Sequence, residues 1–293
     1  MPDNARVVAY ARRLDDGHRD DLSAMLRRLG SDVRTEVLTG GGTYDVLTLD
    51  VELTDPATTR AGLIDWTART GIGAALVPEA LYSAGPRLLI MDVDSTLVKQ
   101  EVIELLAAHA GRESEVAAVT EAAMRGELDF AQSLHHRVRA LEGLPASVID
   151  EVIGRIELSD GAEELVAAFL DAGHRVGVVS GGFTQVLEPL ATRLRLSFAK
   201  ANDLEIVDGV LTGRVVGAVV DRREKERMLR AEAERAGVPL AATLAVGDGA
   251  NDLDMLGAAG LGVAFNAKPA VRAAADAAVD LPDLDLVRHF AGL

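Results

Sequence analysis

Leu88-Leu89-Ile90-Met91-Asp92-Val93-Asp94-Ser95-Thr96 is a run of four apolar residues that ends in a polar tail, Asp-x-Asp-Ser-Thr. A strand with one wet face alternates apolar and polar residues; a strand buried on both faces of a parallel sheet does not. The run therefore predicts a central parallel strand that delivers two carboxylates at its carboxyl end. The pattern recurs at Val176-Gly177-Val178-Val179, which leads into Ser180-Gly181-Gly182, and at Leu244-Ala245-Val246, which leads into Gly247-Asp248-Gly249-Ala250-Asn251-Asp252. Leu261-Gly262-Val263-Ala264 is a fourth such run, and helical patterns lie between them. The expected fold class is α/β with a parallel sheet. Ligands of open α/β sheets bind beyond the carboxyl ends of the strands, so the three polar loops are expected to converge.

Working outward, about Val102–Ala168 reads as a helical insert, broken at Gly143-Leu144-Pro145 and Ser159-Asp160-Gly161. Asn202–Val216, with Asp208-Gly209 at its centre, reads as a β-hairpin. Upstream of Arg87 the texture changes. Residues 6–13 read as a strand, and 18–30 as an amphipathic helix with Leu22, Met25, Leu26 and Leu29 on one face. Val33–Leu38 and Tyr44–Leu53 read as strands on either side of Gly40-Gly41-Gly42. Asp55-Pro56 opens a helix to about Ala68, and Ala74–Val77 closes the unit. The order β-α-β-β-α-β is the split, ferredoxin-like arrangement, an α+β unit. Ser83-Ala84-Gly85-Pro86 is a short linker, so two domains are expected, 1–85 and 86–293, the second carrying its helical cap at about 102–168.

Composition narrows the function. The 293 residues are 48% hydrophobic and 26% charged, enough for a packed core and a soluble surface. The net charge of −16 is the reverse of what counterion displacement from nucleic acid needs, and it disfavours an anionic membrane surface. No cysteine is present, which removes disulfides, cysteine-based zinc sites, iron–sulfur clusters and thiol nucleophiles, and fits a reducing interior. Neither a signal-type apolar stretch nor a run of the ~18 apolar residues needed to span a bilayer is found, so a cytoplasmic location with no membrane partner is expected.

A single Asp at a strand end is an ordinary turn residue. Asp-x-Asp-Ser-Thr after one apolar run and Gly-Asp-Gly-x-Asn-Asp after another are harder to produce by turn chemistry alone. Asp92, Asp94, Asp248 and Asp252 converging in a crevice of reduced dielectric would repel one another, and a hard divalent cation resolves that, with Mg²⁺ the usual choice where phosphate is handled. Lys225, in Asp-Arg-Arg-Glu-Lys-Glu-Arg, reads locally as a solvated helix lysine. Yet only 4 of the 30 basic residues are Lys, namely Lys99, Lys200, Lys225 and Lys268, and all lie in or near the proposed site loops, as if an ammonium were required there.

Asp92-Val93-Asp94-Ser95-Thr96, Ser180-Gly181-Gly182, Lys225 and Gly247-Asp248-Gly249-Ala250-Asn251-Asp252 resemble the four ordered motifs of the haloacid dehalogenase-like hydrolases. Leu97–Glu101, Met124–Arg137 and Phe265-Asn266-Ala267-Lys268-Pro269 narrow the resemblance to phosphoserine phosphatases, over about 86–290. It implies a Rossmann-like core with a helical cap and hydrolysis of O-phosphoserine through an aspartyl-phosphate, the last step of serine biosynthesis. Asp92 would be the nucleophile and Asp94 the general acid and base. Mg²⁺ would be held by Asp92, Asp248 and the backbone carbonyl of Asp94, with Asp252 behind them. Lys225 would neutralise the transferred group, while Ser180 and Gly181 would bind its oxygens and Asn251 would join the substrate contacts. From the cap, Glu101 would take the substrate ammonium and Arg137 its carboxylate. Phe130, seven residues before Arg137, shares its helix face to within ~20°, and Met124 is either a substrate contact or helix core.

The resemblance leaves other readings open: a phosphotransferase or phosphatase acting on another small phosphorylated metabolite, or a receiver-like signalling domain. The last would place its phosphoacceptor on a later strand, where Leu196–Ala201 offers no Asp before Asp203. The unit at 1–85 resembles an ACT domain, which implies a regulatory or dimerisation role, a homodimer and a possible serine effector.

Overall fold

The computed structural model describes residues 3–40, 42–124, 127 and 129–293. The amino-terminal unit runs β1 (Asp3–Ala11), α1 (Asp16–Arg28), β2 (Asp32–Thr39), β3 (Asp45–Leu53), α2 (Pro56–Thr70) and β4 (Gly73–Pro78). Its four strands form one antiparallel sheet in the order β2-β3-β1-β4. The expected element order is present, with ends displaced by no more than three residues. Asp15 caps α1 by accepting the His18 amide at 2.9 Å, and Asp55 caps α2 by accepting that of Ala57 at 3.1 Å. Gly41, in the expected hairpin connection, lies outside the described residues.

The second sheet begins at β5 (Leu88–Met91). The chain then leaves through α3 (Val102–His109), α4 (Glu113–Met124), α5 (Phe130–Arg139) and α6 (Val148–Ile153), and returns through α7 (Ala162–Asp171) to β6 (Arg175–Phe183). Next come α8 (Thr184–Arg193), β7 (Phe198–Val207), β8 (Val210–Val216), α9 (Arg222–Ala236), β9 (Thr243–Gly247), α10 (Leu253–Ala258), β10 (Leu261–Phe265), α11 (Pro269–Ala274) and β11 (Ala277–Val279). The seven strands are ordered β11-β10-β9-β5-β6-β7-β8, parallel except for β7–β8. The four residues of β5 are all buried, as a central strand requires. The hairpin turns through Asp208 (φ 51°) and Gly209 (φ 76°), both left-handed, the geometry of a tight two-residue connection.

The helical excursion is shorter than 102–168. Outgoing and returning chain pair at its base, where Val98 bridges Leu158 and Lys99 N donates to Glu157 O at 2.9 Å. Beyond that point Ala162, Leu165, Val166 and Phe169 of α7 form an apolar stripe that packs on the strands, so α7 belongs to the sheet and not to the cap. The cap has its own apolar centre, with Leu106, Val116, Leu134, Val138 and Val152, which extends onto Phe183 and Leu211 of the sheet.

The two sheets are not independent. Val8, Tyr10, Val46, Val77 and Leu81 share one apolar cluster with Leu286, Val287 and Phe290 of the carboxyl-terminal segment. Tyr10 stacks edge-on to Phe290 at 5.7 Å between ring centroids and donates its hydroxyl to the Ala278 carbonyl at 3.0 Å.

Candidate active site

The three polar loops converge beyond the carboxyl ends of β5, β6 and β9. Asp92 follows β5 directly, and its backbone N–H still donates to Val246 O of β9 at 2.9 Å, so the sheet register fixes the first carboxylate. Asp92 Oδ1 accepts from the Val93 amide at 2.7 Å and meets Lys225 Nζ at 2.7 Å. Two residues on, Asp94 is tied on both sides: Oδ1 accepts from Val102 N, at the start of the cap, at 2.8 Å, and Oδ2 accepts from Ser180 Oγ at 3.0 Å. Ser95 takes a left-handed φ of 57°, and its hydroxyl donates to Glu101 Oε1 at 2.6 Å.

The glycines admit these approaches. A Cβ on Gly182 would come within 2.9 Å of Asp94 Oδ2, and one on Gly181 within 2.5 Å of the Phe130 ring. Behind the loop, buried Asn202 donates to Gly181 O at 2.9 Å and accepts from Val220 N at 2.8 Å.

Lys225 is fully buried. Asp221 caps α9 by accepting the Glu224 amide at 2.9 Å, and Lys225, Leu229, Glu232 and Ala233 then fall on one buried stripe. Its ammonium bridges Asp92 Oδ1 and Asp252 Oδ1, each at 2.7 Å. Burial works against that charge, but Asp252 and Asp92 outweigh it and push the lysine up. Asp252 turns its other oxygen to the amides of Asp248 (3.2 Å) and Gly249 (3.0 Å), which folds the Gly-Asp-Gly-x-Asn-Asp loop back on itself.

Asp92, Asp248 and Asp252 bring carboxylate oxygens within 4.8 Å of one another, all buried. Burial first, then Asp252, pushes the Asp92 carboxyl well above the usual carboxylate range against the pull of Lys225; burial, then Asp252 and Asp92, does the same to Asp248. Asp248 Oδ1 is buried with no hydrogen-bond partner. A cluster of hard oxygens with one orphaned acceptor and a single ammonium fits a divalent cation such as Mg²⁺. The side-chain oxygens of Asp94 are committed elsewhere, as above.

A pocket opens over these groups, lined by Asp92, Asp94, Glu101, Phe130, Arg137, Gly181 and Asn251 among others. Ser180, Lys225, Asp248 and Asp252, all buried, are not among the lining residues. Met124 closes α4, and its side chain lies outside the described residues. Burial, then Asp94, pushes the Glu101 carboxyl up to about 7, and burial raises that of Asp94.

The haloacid dehalogenase-like hydrolase pattern matches residues 89–257, which carry all of these loops. The chain belongs to the haloacid dehalogenase-like hydrolases. Among its relatives is a Streptomyces coelicolor phosphoserine phosphatase, 59% identical over 234 residues, or 80% of this chain; the match spans 57% of that relative's length. The phosphoserine phosphatase SerB2 of Mycobacterium tuberculosis is 51% identical over the whole of this chain and 72% of its own. A solved phospho-aspartyl intermediate analogue of phosphoserine phosphatase superposes with a TM-score of 0.69 at 41% identity, covering 71% of this chain and 99% of that one.

Within this hydrolase site, Ser95, Asn202 and Thr120, which contacts Arg137, are groups that motif reading did not single out. Ser95 was visible inside Asp-x-Asp-Ser-Thr. The phase of Lys225 with Leu229 and Ala233 on a helical projection was a signal for its burial.

Proposed function

We propose that this chain is a Mg²⁺-dependent phosphatase that hydrolyses O-phosphoserine to serine and phosphate, the closing step of serine formation. The reading rests on one juxtaposition: an acid, Glu101, and a guanidinium, Arg137, line the same pocket as the Asp92–Asp94 pair. A phosphoryl group set against Asp92 leaves an ammonium and a carboxylate to be matched, and Glu101 and Arg137 supply the opposite charges.

Asp92 attacks phosphorus while Asp94, whose carboxyl burial keeps up, gives its proton to the departing serine oxygen. The new bond joins Asp92 to phosphorus and the ester P–O bond breaks. Asp94 then takes a proton from water, which attacks the same phosphorus and releases Asp92. Lys225, 2.7 Å from Asp92, favours its ionised form, and Ser180 with the Gly181 amide takes up the phosphoryl oxygens beside Asn251. Asp92, Asp248 and the Asp94 carbonyl would hold Mg²⁺, with Asp252 orienting them; bound there, the ion stabilises charge on the phosphoryl oxygens.

Residues 1–85 are an ACT-like unit on this reading, regulatory or dimerising, with serine as effector and a homodimer as the assembly. Support comes from β2, an exposed edge strand that carries Val37 and Leu38 at 49% and 40% exposure. Among the described residues no helix is long and apolar enough to cross a membrane, and the proposed site of action is the cytoplasm. The test is phosphate release from phospho-amino acids and sugar phosphates with and without Mg²⁺, with homoserine added as a competing acceptor. Transfer to homoserine in place of release would favour a phosphotransferase.

A further inference from the structure

A guanidinium on a long stem selects a ligand only when its orientation is fixed. Arg137, 6% exposed, is fixed at two nitrogens: Nε donates to the Ser133 carbonyl one turn back at 3.2 Å, and Nη1 donates to Thr120 Oγ1 at 3.1 Å. Thr120 stands on α4, 17 residues earlier in the chain and 2% exposed. Its own proton goes to the Val116 carbonyl at 2.9 Å. Such back-bonding is common for threonine inside helices. Here it has a consequence, because a hydroxyl whose proton is committed to a carbonyl can only accept from its other neighbour. Thr120 is thereby set in the polarity a cation needs.

With Nε and one Nη1 hydrogen occupied, the free donors of Arg137 are both hydrogens of Nη2 and the second of Nη1. The Nη2 edge is thus left to pair with a ligand carboxylate by charge-assisted hydrogen bonds. Glu101, Asp94 and Glu104 act on this charge and support it against burial.

We infer that Thr120 is a specificity-determining positioning residue: its acceptor oxygen locks Arg137 so that the remaining Nη donors are held for the carboxylate of an amino-acid phosphate. The assignment rests on the reading of Arg137 as the carboxylate anchor.

The experiment compares O-phosphoserine with O-phosphoethanolamine, the same ester and ammonium without the carboxylate, for the full chain with Mg²⁺ and for Thr120→Val and Thr120→Ser. Thr120→Val keeps shape and loses the acceptor. It should raise KM for phosphoserine about tenfold, the scale of one hydrogen bond to a charged group, with kcat moved far less. Phosphoethanolamine kinetics should change much less, and Thr120→Ser should restore the phosphoserine KM. Equal losses on both esters, or a serine variant as impaired as the valine, would overturn the role of Thr120 while leaving the substrate reading standing. A wild-type protein with no preference for phosphoserine over phosphoethanolamine would overturn the substrate reading, and this inference with it.

Discussion

Replacing Lys225 by Met removes the ammonium that bridges Asp92 and Asp252 in a buried group of three carboxylates, Asp92, Asp248 and Asp252. At an effective dielectric of ~20, each 2.7 Å contact carries about 6 kcal/mol of Coulomb attraction. Desolvation of the ammonium and the carboxylates offsets much of it, and loss of one partner from a buried pair costs about 3–5 kcal/mol, because the charges left behind are uncompensated. In a domain stabilised by about 5–15 kcal/mol that is a large fraction. Urea unfolding in EDTA near pH 8 should therefore show Lys225→Met less stable than the parent by about 3–5 kcal/mol. The deficit should shrink on acidification, as the carboxyls take up protons, and on addition of Mg²⁺, which replaces the lost positive charge. A variant within about 1 kcal/mol of the parent in EDTA at pH 8 would refute the view that Lys225 compensates this cluster.

Asp92→Asn should abolish turnover with the fold intact, and Asp94→Asn should lower kcat by about 10²–10⁴-fold; full activity of the first would exclude a covalent route through Asp92. Arg137→Ala should cost a few kcal/mol on phosphoserine and much less on a phenyl phosphate, which lacks a carboxylate, so steady-state kinetics on both esters read out its partner. Burial holds Glu101 at about 7 against 4.5 for the free side chain, so the folded state keeps a proton that the unfolded chain has lost between those values. Its stabilising contribution is full below pH 4.5 and lost as pH rises through 7. Between about pH 5 and 8, with EDTA present, the parent should lose roughly 2–3 kcal/mol more than Glu101→Gln; parallel curves would contradict the burial argument. A chain beginning at Ser83 uncovers Leu286, Val287 and Phe290 and should melt lower, since each large side chain exposed costs about 1.5–3 kcal/mol. Among the described residues none of 1–85 lines the pocket, so its turnover per folded molecule should persist.

The sheet was legible because burial on both faces leaves a local mark. Leu88–Met91, Leu244–Val246 and Leu261–Ala264 are apolar without alternation, and each is a strand at the expected place. Asp92, Asp94 and Asp248 followed, since chain direction alone puts the residues after those strands at one end. What stayed hidden depends on pairings between distant segments. Thr120 and Arg137 meet because α4 and α5 pack together, and neither helix carries a mark of its partner. Asn202 is an unremarked residue of β7 until the Ser180-Gly181-Gly182 loop is laid beside it. Lys225 was obscured by its charged neighbours, although its phase with Leu229 pointed inward.

The division at Ser83 is the instructive case, because a linker in sequence need not separate anything in space. Ser159 Oγ donates to Thr96 O at 2.6 Å and Ser159 N to Leu97 O at 2.9 Å, which fastens the returning arm of the cap to the loop that carries Asp92 and Asp94. The next residue, Asp160, gives its carbonyl to Leu284 N at 2.7 Å. The carboxyl-terminal segment that begins there receives Thr43 Oγ1 on Asp283 at 2.5 Å and Tyr44 OH on Asp285 at 2.9 Å, both from the amino-terminal unit. Asp94 is itself bonded to Val102 at the start of the cap. Asp94, the base of the cap and the amino-terminal sheet are thus joined by hydrogen bonds between segments and by the short stretches of chain that separate those bonds. No stretch of sequence records these links, because all of them except Asp94–Val102, eight positions apart, join residues dozens or hundreds of positions apart.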